Sequence, residues 1–259
     1  MDKYFTHASL FSGILGFDVA ADWMGWENIF TCDNNPLSKK LAEYYFPNSI
    51  HFDDITTTNF KPYANQITVL TGGFPCQPFS ASGKRKGAND TRYLWPQMLR
   101  AIREIHPRWI IGENVHGIIN WSKGMVFNQV LSDMETAGYQ VWPFILPALS
   151  VNAQHRRDRV FFIANTDSGG LQIRSKKFGY ISRVHDKASV EFTFGNAAQW
   201  NPSKRSSGQV CPGDGLPGKL DGITLSAHKR ESIKAFGNSI IPALAYMLFK
   251  TISDYEKIY

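Results

Sequence analysis

The sequence predicts an α/β fold: a doubly wound, mainly parallel sheet with a small loop-rich lobe attached late in the chain. Three observations predict it. Strand-like and helix-like segments alternate through the first 164 residues. The strand-like ones are near-continuous apolar runs, as expected of strands covered on both faces. From about Asn165 the alternation gives way to a stretch rich in Gly, Ser, Asn and basic side chains.

Ala8 to Phe11 is a short apolar strand, and Gly13-Ile-Leu-Gly16 turns the chain into an apolar-periodic helix ending near Gly25. Asn28 to Cys32 forms a second strand, closed by Asp33, and Leu37 to Phe46 a second helix. Gln66 to Leu70 is a strand that leads into the loop Gly72 to Ser80, and Arg92 to Ile105 is helical. Trp109 to Gly112 is a fully apolar strand with Glu113-Asn114-Val115 at its end. Met125 to Ala137 is helical, and Tyr139 to Leu146 and Val160 to Ala164 are strands. Pro242 opens a last helix through Ile252, with Ala243, Leu244, Met247 and Leu248 on one apolar face. The predicted organisation is a main domain over 1–164, a lobe over 165–222 and a returning segment over 223–259. A structureless stretch of that length inside one compact domain is unusual, which is why a separate small lobe is expected.

A chain of 259 residues with 43% hydrophobic and 19% charged residues can bury one sizeable core. Its net charge of +6 suits a polyanionic partner. Three cysteines without C-x-x-C spacing argue against a disulfide scaffold or a zinc site and for a reducing compartment. Ala8 to Phe17 follows Lys3 and could pass for a secretory leader, but Ser12, Gly13 and Gly16 interrupt it and it reads better as strand and turn. No run approaches the roughly 18 apolar residues of a membrane span. The expectations are therefore a cytoplasmic protein with no membrane contact and no metal.

The residues that could carry chemistry cluster where strands meet loops. Cys76 stands in Gly72-Gly-Phe-Pro-Cys-Gln-Pro-Phe-Ser80, with glycines before it and prolines on both sides. A thiol so held is placed for use, whereas Cys32 and Cys211 read as small buried hydrophobes. Gly13-x-x-Gly16 after a strand, with Asp33 ending the next one, has the logic of a nucleotide-cofactor turn: the glycines admit a ligand and the carboxylate accepts from ribose hydroxyls. The G-x-G-x-x-G form that seats a pyrophosphate is absent, and ordinary tight-turn glycines would look the same. Glu113, at a strand end, is expected to be desolvated and able to keep a proton, although a carboxylate capping the next helix is the plain alternative. His155-Arg-Arg-Asp-Arg159 and Gly237-Asn-Ser-Ile-Ile-Pro242 complete the set, with a solvated basic turn and a helix cap as their plain alternatives.

With these motifs in this order, the chain resembles the cytosine-C5 DNA methyltransferases over nearly everything except 165–222. Phe11 to Phe17 is similar to the family's cofactor motif, Gly72 to Ser80 to its nucleophile motif, Glu113-Asn-Val115 to its Glu-Asn-Val motif, Arg157-Asp-Arg159 to its Arg-x-Arg motif and Gly237-Asn-Ser239 to its last motif. The family's Gln-x-Arg-x-Arg pattern stands here as Gln154-His-Arg-Arg-Asp-Arg, one residue out of register, so Gln154 or His155 fills the glutamine role. The lobe is short for a bacterial member.

The resemblance implies an S-adenosylmethionine-dependent, Rossmann-like catalytic domain acting on double-stranded DNA as a monomer in a prokaryote or phage. It implies Cys76 as nucleophile, Glu113 at the cytosine N3 and exocyclic amine, and Arg157 and Arg159 on the ring O2 and phosphates. It implies S-adenosyl-L-methionine held by Phe11, Ser12, Gly13, Gly16, Asp33, Asp54, Pro75, Asn238 and Ser239, and released as S-adenosylhomocysteine. For DNA it points to Gln77 and Ser80, to Lys84, Arg85 and Lys86 in a basic loop, and to Arg174, Lys176, Lys177 and Arg205 in the lobe. A lobe this small implies a target of a few base pairs. Three rivals are weaker. The family's transfer-RNA branch carries a Cys-Phe-Thr tripeptide that this sequence lacks. A non-catalytic DNA-binding relative does not need Cys76, Glu113 and Arg-x-Arg intact, and a nicotinamide dehydrogenase leaves Pro-Cys-Gln unexplained.

Overall fold

The computed structural model describes residues 5–75, 93–151, 157–166 and 239–258, and the structural statements below concern those residues. Cys76, Gln77, Ser80, the basic loop at 84–86, Gln154, His155, Asn238 and all of the lobe beyond Thr166 lie outside them.

Seven strands form one sheet: β1 (Thr6–Leu10), β2 (Glu27–Cys32), β3 (Ile50–Phe52), β4 (Val69–Gly72), β5 (Trp109–Val115), β6 (Tyr139–Pro147) and β7 (Asp158–Thr166), in the order β3-β2-β1-β4-β5-β7-β6. The first five strands are parallel, and β7 runs antiparallel to both β5 and β6. The helices are α1 (Gly16–Trp23), α2 (Pro36–Tyr45), α3 (Trp95–Ile105), α4 (Met125–Thr136) and α5 (Pro242–Ile258). This is the predicted α/β class.

Apolar side chains on successive residues of the central strands go to opposite faces, the period-two rule of a pleated strand. In β5, Trp109 and Ile111 join Phe17, Ala20, Ala21, Leu244 and Phe249 of α1 and α5, while Ile110 joins Trp95, Met98 and Ile102 of α3 and Val130 and Met134 of α4. Both faces are thus covered, which explains why the strands lack polar alternation. Each fully buried side chain of this size contributes about 1.5–3 kcal/mol. Helix α5 returns the chain's end to its beginning: Phe249 stacks on Trp26 at 4.7 Å, and Glu256 accepts from Arg108 Nε at 2.6 Å and Trp109 Nε1 at 2.9 Å.

Three local differences from the sequence reading affect the site. Glu113, Asn114 and Val115 lie inside β5, because β7 pairs with them through Phe161, Val160 and Arg159. Asp158 and Arg159 lie likewise inside β7. The edge strand β3 has no counterpart in the sequence reading: it is three residues long with a polar His51 at its centre, too short for a periodicity signal.

Candidate active site

In an open α/β sheet, ligands bind beyond the carboxyl ends of the strands where the strand order reverses. Here the reversal lies between β1 and β4, since the chain proceeds outward from β1 to β2 and β3 and then returns to β4. The turn after β1 carries Phe11 to Gly16, and the segment after β4 carries Gly73, Phe74 and Pro75 and leads in sequence to Cys76. Two motifs far apart in sequence thus flank one crevice.

The β1–α1 turn is tightly specified. Phe11, Gly13 and Leu15 adopt φ of 53°, 55° and 67°. That region is costly for residues with a Cβ and marks a conformation held by its surroundings. Asp33 supplies one hold: its Oδ2 accepts from the Gly13 amide at 2.8 Å and its Oδ1 from the Asn35 amide at 2.8 Å. Ser12 supplies another, with Oγ accepting from the Cys32 amide at 3.1 Å. A Cβ at Gly13 would meet nothing nearer than the Phe11 carbonyl at 3.9 Å, so that side of the turn is open. Gly16 meets a different demand: a Cβ there would stand 2.3 Å from Ile240 Cγ2 and 2.6 Å from its carbonyl oxygen. Its bareness admits Ile240, in the segment between the last motif and α5, against the first motif.

Pairing of Cys32 with Phe52 sets the ends of β2 and β3 side by side, and the Asp33 amide donates to the Phe52 carbonyl at 3.0 Å. Asp33, Asp53 and Asp54 therefore gather around one corner; burial first, and these carboxylates with it, push the Cys32 thiol up to about 12. The Asp54 carboxylate accepts from the Thr56 amide and hydroxyl, both at 2.8 Å, which hold it below its usual range. An open glycine turn with an aromatic ring and two held carboxylates fits a nucleoside with a ribose diol and an exocyclic amine.

The other side of the crevice is built on β5. Gly72 pairs with Gly112, so Glu113 lies one step beyond the end of β4, beside Gly73; a Cβ on Gly73 would come 3.1 Å from Glu113 Oε2. Asn114 Nδ2 donates to the Phe74 carbonyl at 3.0 Å and pins the segment just before Pro75. Because β5 and β7 are antiparallel with Val115 opposite Arg159, Arg157, Arg159 and Phe161 share a sheet face with Glu113. Arg159 Nε lies 2.8 Å from Glu113 Oε1. Glu113 is only 8% exposed, and burial pushes its carboxyl up from 4.5 to about 7 against the opposing pull of Arg159 and Arg157. Ser239, Ile240 and Leu244 close a small cavity against Arg157 and Arg159.

The structure thus brings Phe11, Ser12, Gly13, Asp33 and Asp54 to one side of the crevice and Pro75, Glu113, Arg157, Arg159 and Ser239 to the other. Asn114 and a buried group beneath the turn (His7, Ser9 and Asp18) were not singled out in the sequence. The available signals were an amide inside the Glu-Asn-Val motif and a carboxylate among the apolar positions of α1. Among the described residues no group of three or more His, Cys, Asp or Glu could hold a metal, and no helix is long and apolar enough to cross a membrane.

Comparisons with known proteins agree with this geometry. The model of the C-5 cytosine-specific DNA methylase family matches residues 5–205. Type II methyltransferase M.HpaII of Haemophilus parainfluenzae is 33% identical over 171 residues, covering 64% of this chain and 48% of that protein. M.Eco47II of Escherichia coli is 30% identical over 166 residues, covering 63% and 40%. M.AquIA of Picosynechococcus is 31% identical over 174 residues, covering 61% and 70%. The chain therefore spans less than half the length of the first two. Among solved structures, a candidate DNA modification methyltransferase encoded within an E. coli prophage superposes with a TM-score of 0.55 at 25% identity, over 63% of this chain and 47% of that one. The S. pombe Dnmt2 methyltransferase superposes with a TM-score of 0.52 at 21% identity, over 64% and 52%, a likeness of fold. By its motifs, its sheet and the family match, the chain belongs to the C-5 cytosine-specific DNA methylases.

Proposed function

We propose that this protein methylates C5 of a cytosine flipped out of a short site in duplex DNA, through a covalent adduct of Cys76. The observation that carries the reading is the buried Glu113–Arg159 pair at 2.8 Å, set beside Gly73 three residues before Cys76.

Cytosine C5 is a poor nucleophile. A thiolate adding to C6 breaks the ring's aromaticity and makes C5 enamine-like. A free thiol with a pKa of about 8.5 is only a few per cent ionised at neutral pH, so cations near the thiol favour the reactive form. As Cys76 sulfur bonds to C6, electron density moves toward N3. Glu113, holding a proton in its desolvated site, donates it along a hydrogen bond to N3, while its second oxygen accepts from the exocyclic amine. Arg159 keeps the Glu113 carboxyl oriented, and Arg157 and Arg159 can bond ring O2 and adjacent phosphate. After alkylation at C5, a base removes the C5 proton, the electron pair expels the Cys76 thiolate, and the N3 proton returns to Glu113, restoring the neutral aromatic ring.

S-adenosyl-L-methionine supplies an electrophilic sulfonium methyl when bound, leaving as S-adenosylhomocysteine. Phe11, Gly13, Asp33 and Asp54 would hold its nucleoside, with Ser12, Pro75, Asn238 and Ser239 around them. Because C6 is shielded in a duplex, the target base must leave the stack at a cost of a few kcal/mol. Lys84, Arg85 and Lys86 would meet the phosphates, with Gln77 and Ser80 beside the extruded base. Residues 165–222 would read the sequence through Arg174, Lys176, Lys177 and Arg205, each good base contact discriminating by about 1–3 kcal/mol.

The test is digestion to nucleosides of duplex DNA incubated with the protein and methyl-labelled donor. Label in 5-methylcytosine is expected; label on adenine N6 or cytosine N4 would end the proposal. Bisulfite sequencing of DNA from expressing cells then gives the target context.

A further inference from the structure

Beneath the β1–α1 turn lies a polar group with no packing rationale. Asp18, in the first turns of α1, is wholly buried. Its Oδ1 accepts from Ser9 Oγ at 2.8 Å, while its Oδ2 has no hydrogen-bond partner among the described residues. His7, also buried, does not neutralise it. Its Nδ1 is 3.8 Å from Asp18 Oδ1 and is engaged with Asn28 Oδ1 at 2.6 Å, and its Nε2 with Thr71 Oγ1 at 2.9 Å. A buried carboxyl oxygen without a partner costs stability.

What Asp18 does is give direction to a chain of hydroxyls. Ser9 Oγ has one proton, and Asp18 takes it. Ser9 Oγ and Ser12 Oγ are 2.6 Å apart, so the proton between them must come from Ser12. Ser12 Oγ in turn accepts from the Cys32 amide at 3.1 Å. The result is a one-way series, Cys32 amide to Ser12 to Ser9 to Asp18, in which each bond polarises the next. Without Asp18, the Ser9 proton would turn toward Ser12. The Ser12 proton would then be left with the longer contacts to the Ser9 carbonyl at 3.2 Å or the Cys32 carbonyl at 3.4 Å. Ser12 stands between Gly13 and Phe11, whose φ of 53° needs external support, and the amide it binds belongs to the residue before Asp33.

We propose that Asp18 is a positioning residue for methyl-donor binding: from inside the core it orients Ser9 and Ser12 and so fixes the turn that carries Phe11 and Gly13 against the end of β2. The inference rests on the reading of that turn as the S-adenosyl-L-methionine site.

Calorimetry with S-adenosylhomocysteine tests it without any need for DNA or catalysis, using the full chain and the variants Asp18→Ala, Asp18→Asn and Ser9→Ala. Losing the acceptor that orients the Ser9 hydroxyl should weaken binding about tenfold in Asp18→Ala. Ser9→Ala should weaken it about fivefold, for the same reason acting one bond further along. Asp18→Asn keeps an acceptor for Ser9 and should stay within about twofold of wild type. A purely structural role would lower the number of binding-competent molecules and leave the dissociation constant of the folded ones unchanged. That result, or wild-type affinity in Asp18→Ala and Ser9→Ala, would overturn the assignment. Should Asp18→Ala fail to fold, Ser9→Ala decides, since it removes one small hydroxyl. A wild type that binds no S-adenosylhomocysteine would instead sink the methyl-donor reading, and this inference with it.

Discussion

Replacing Glu113 by glutamine separates holding the base from protonating it. The amide keeps a donor for N3 and an acceptor for the exocyclic amine, so cytosine can still be bound, but it has no proton to give up as charge develops. Burial raises the Glu113 carboxyl from 4.5 to about 7. About half of the molecules then carry that proton at pH 7, against roughly 0.3% for a carboxyl at 4.5, a bias of about 3 kcal/mol. General acid catalysis of this kind contributes about 10²–10⁴ in rate, so Glu113→Gln should lower kcat/KM by that factor while the affinity for target DNA changes little. The pH profile gives a sharper sign. Wild-type kcat/KM needs protonated Glu113 and ionised Cys76. It should rise with pH through the lower of the two titrations, level off, and fall through the higher. In Glu113→Gln only the thiol requirement remains, so the rate should climb as the thiol ionises and then stay level, with no alkaline fall. Methyl transfer to a duplex of defined sequence, measured from pH 5.5 to 9.5, reads both. A variant within about fivefold of wild type, or one that keeps the alkaline fall, would refute the role given to Glu113.

Other substitutions test the frame around the site. Gly16→Ala should cost about 1–3 kcal/mol, read as a lowered urea midpoint, because its methyl would overlap the Ile240 backbone and one of the two must move. Asn114→Ala leaves the Phe74 carbonyl unpaired in a buried setting. It should cost about 1–3 kcal/mol and lower kcat, since the segment it pins leads to Cys76. His7 should govern part of the acid sensitivity. Burial holds its pKa at about 4, against 6.5 when free, so it stays neutral in the fold while the unfolded chain takes up a proton. Its contribution is complete above pH 6.5 and is lost as pH falls toward 4, a total of about 3 kcal/mol. Over that window the stability of wild type should drop by this amount more than that of His7→Gln, whereas parallel profiles would contradict the assignment.

The sheet was legible because its central strands are buried on both faces. Runs such as Trp109 to Ile111 have no polar partner pattern to confuse with a helix, and glycine or Asp33 marks where they end. The motif residues were legible through spacing and resemblance. The extent of β5 and β7 was not, because it depends on each strand finding the other. Glu113 to Val115 and Asp158-Arg159 are polar enough to look like loops until antiparallel pairing extends both strands. That pairing has a chemical consequence, since it sets Glu113 and Arg159 diagonally on one sheet face where a loop would leave them free. Strand β3 was hidden by brevity. Asp18 was hidden because a lone carboxylate in an amphipathic helix reads as a surface residue, and only the hydrogen bonds of Ser9 and Ser12 reveal it as interior.

Trapping with a fluorinated base tests the central claim most directly. Fluorine at C5 cannot leave as a proton does, so Cys76 cannot be expelled once a methyl group has been added. Wild type incubated with S-adenosyl-L-methionine and duplex DNA containing 5-fluorocytosine should give a denaturation-resistant protein–DNA species, whose mass includes one methyl group and whose cross-linked peptide contains Cys76. Cys76→Ala should give none. A covalent species of the same yield from Cys76→Ala, or normal methyl transfer by that variant, would contradict the account.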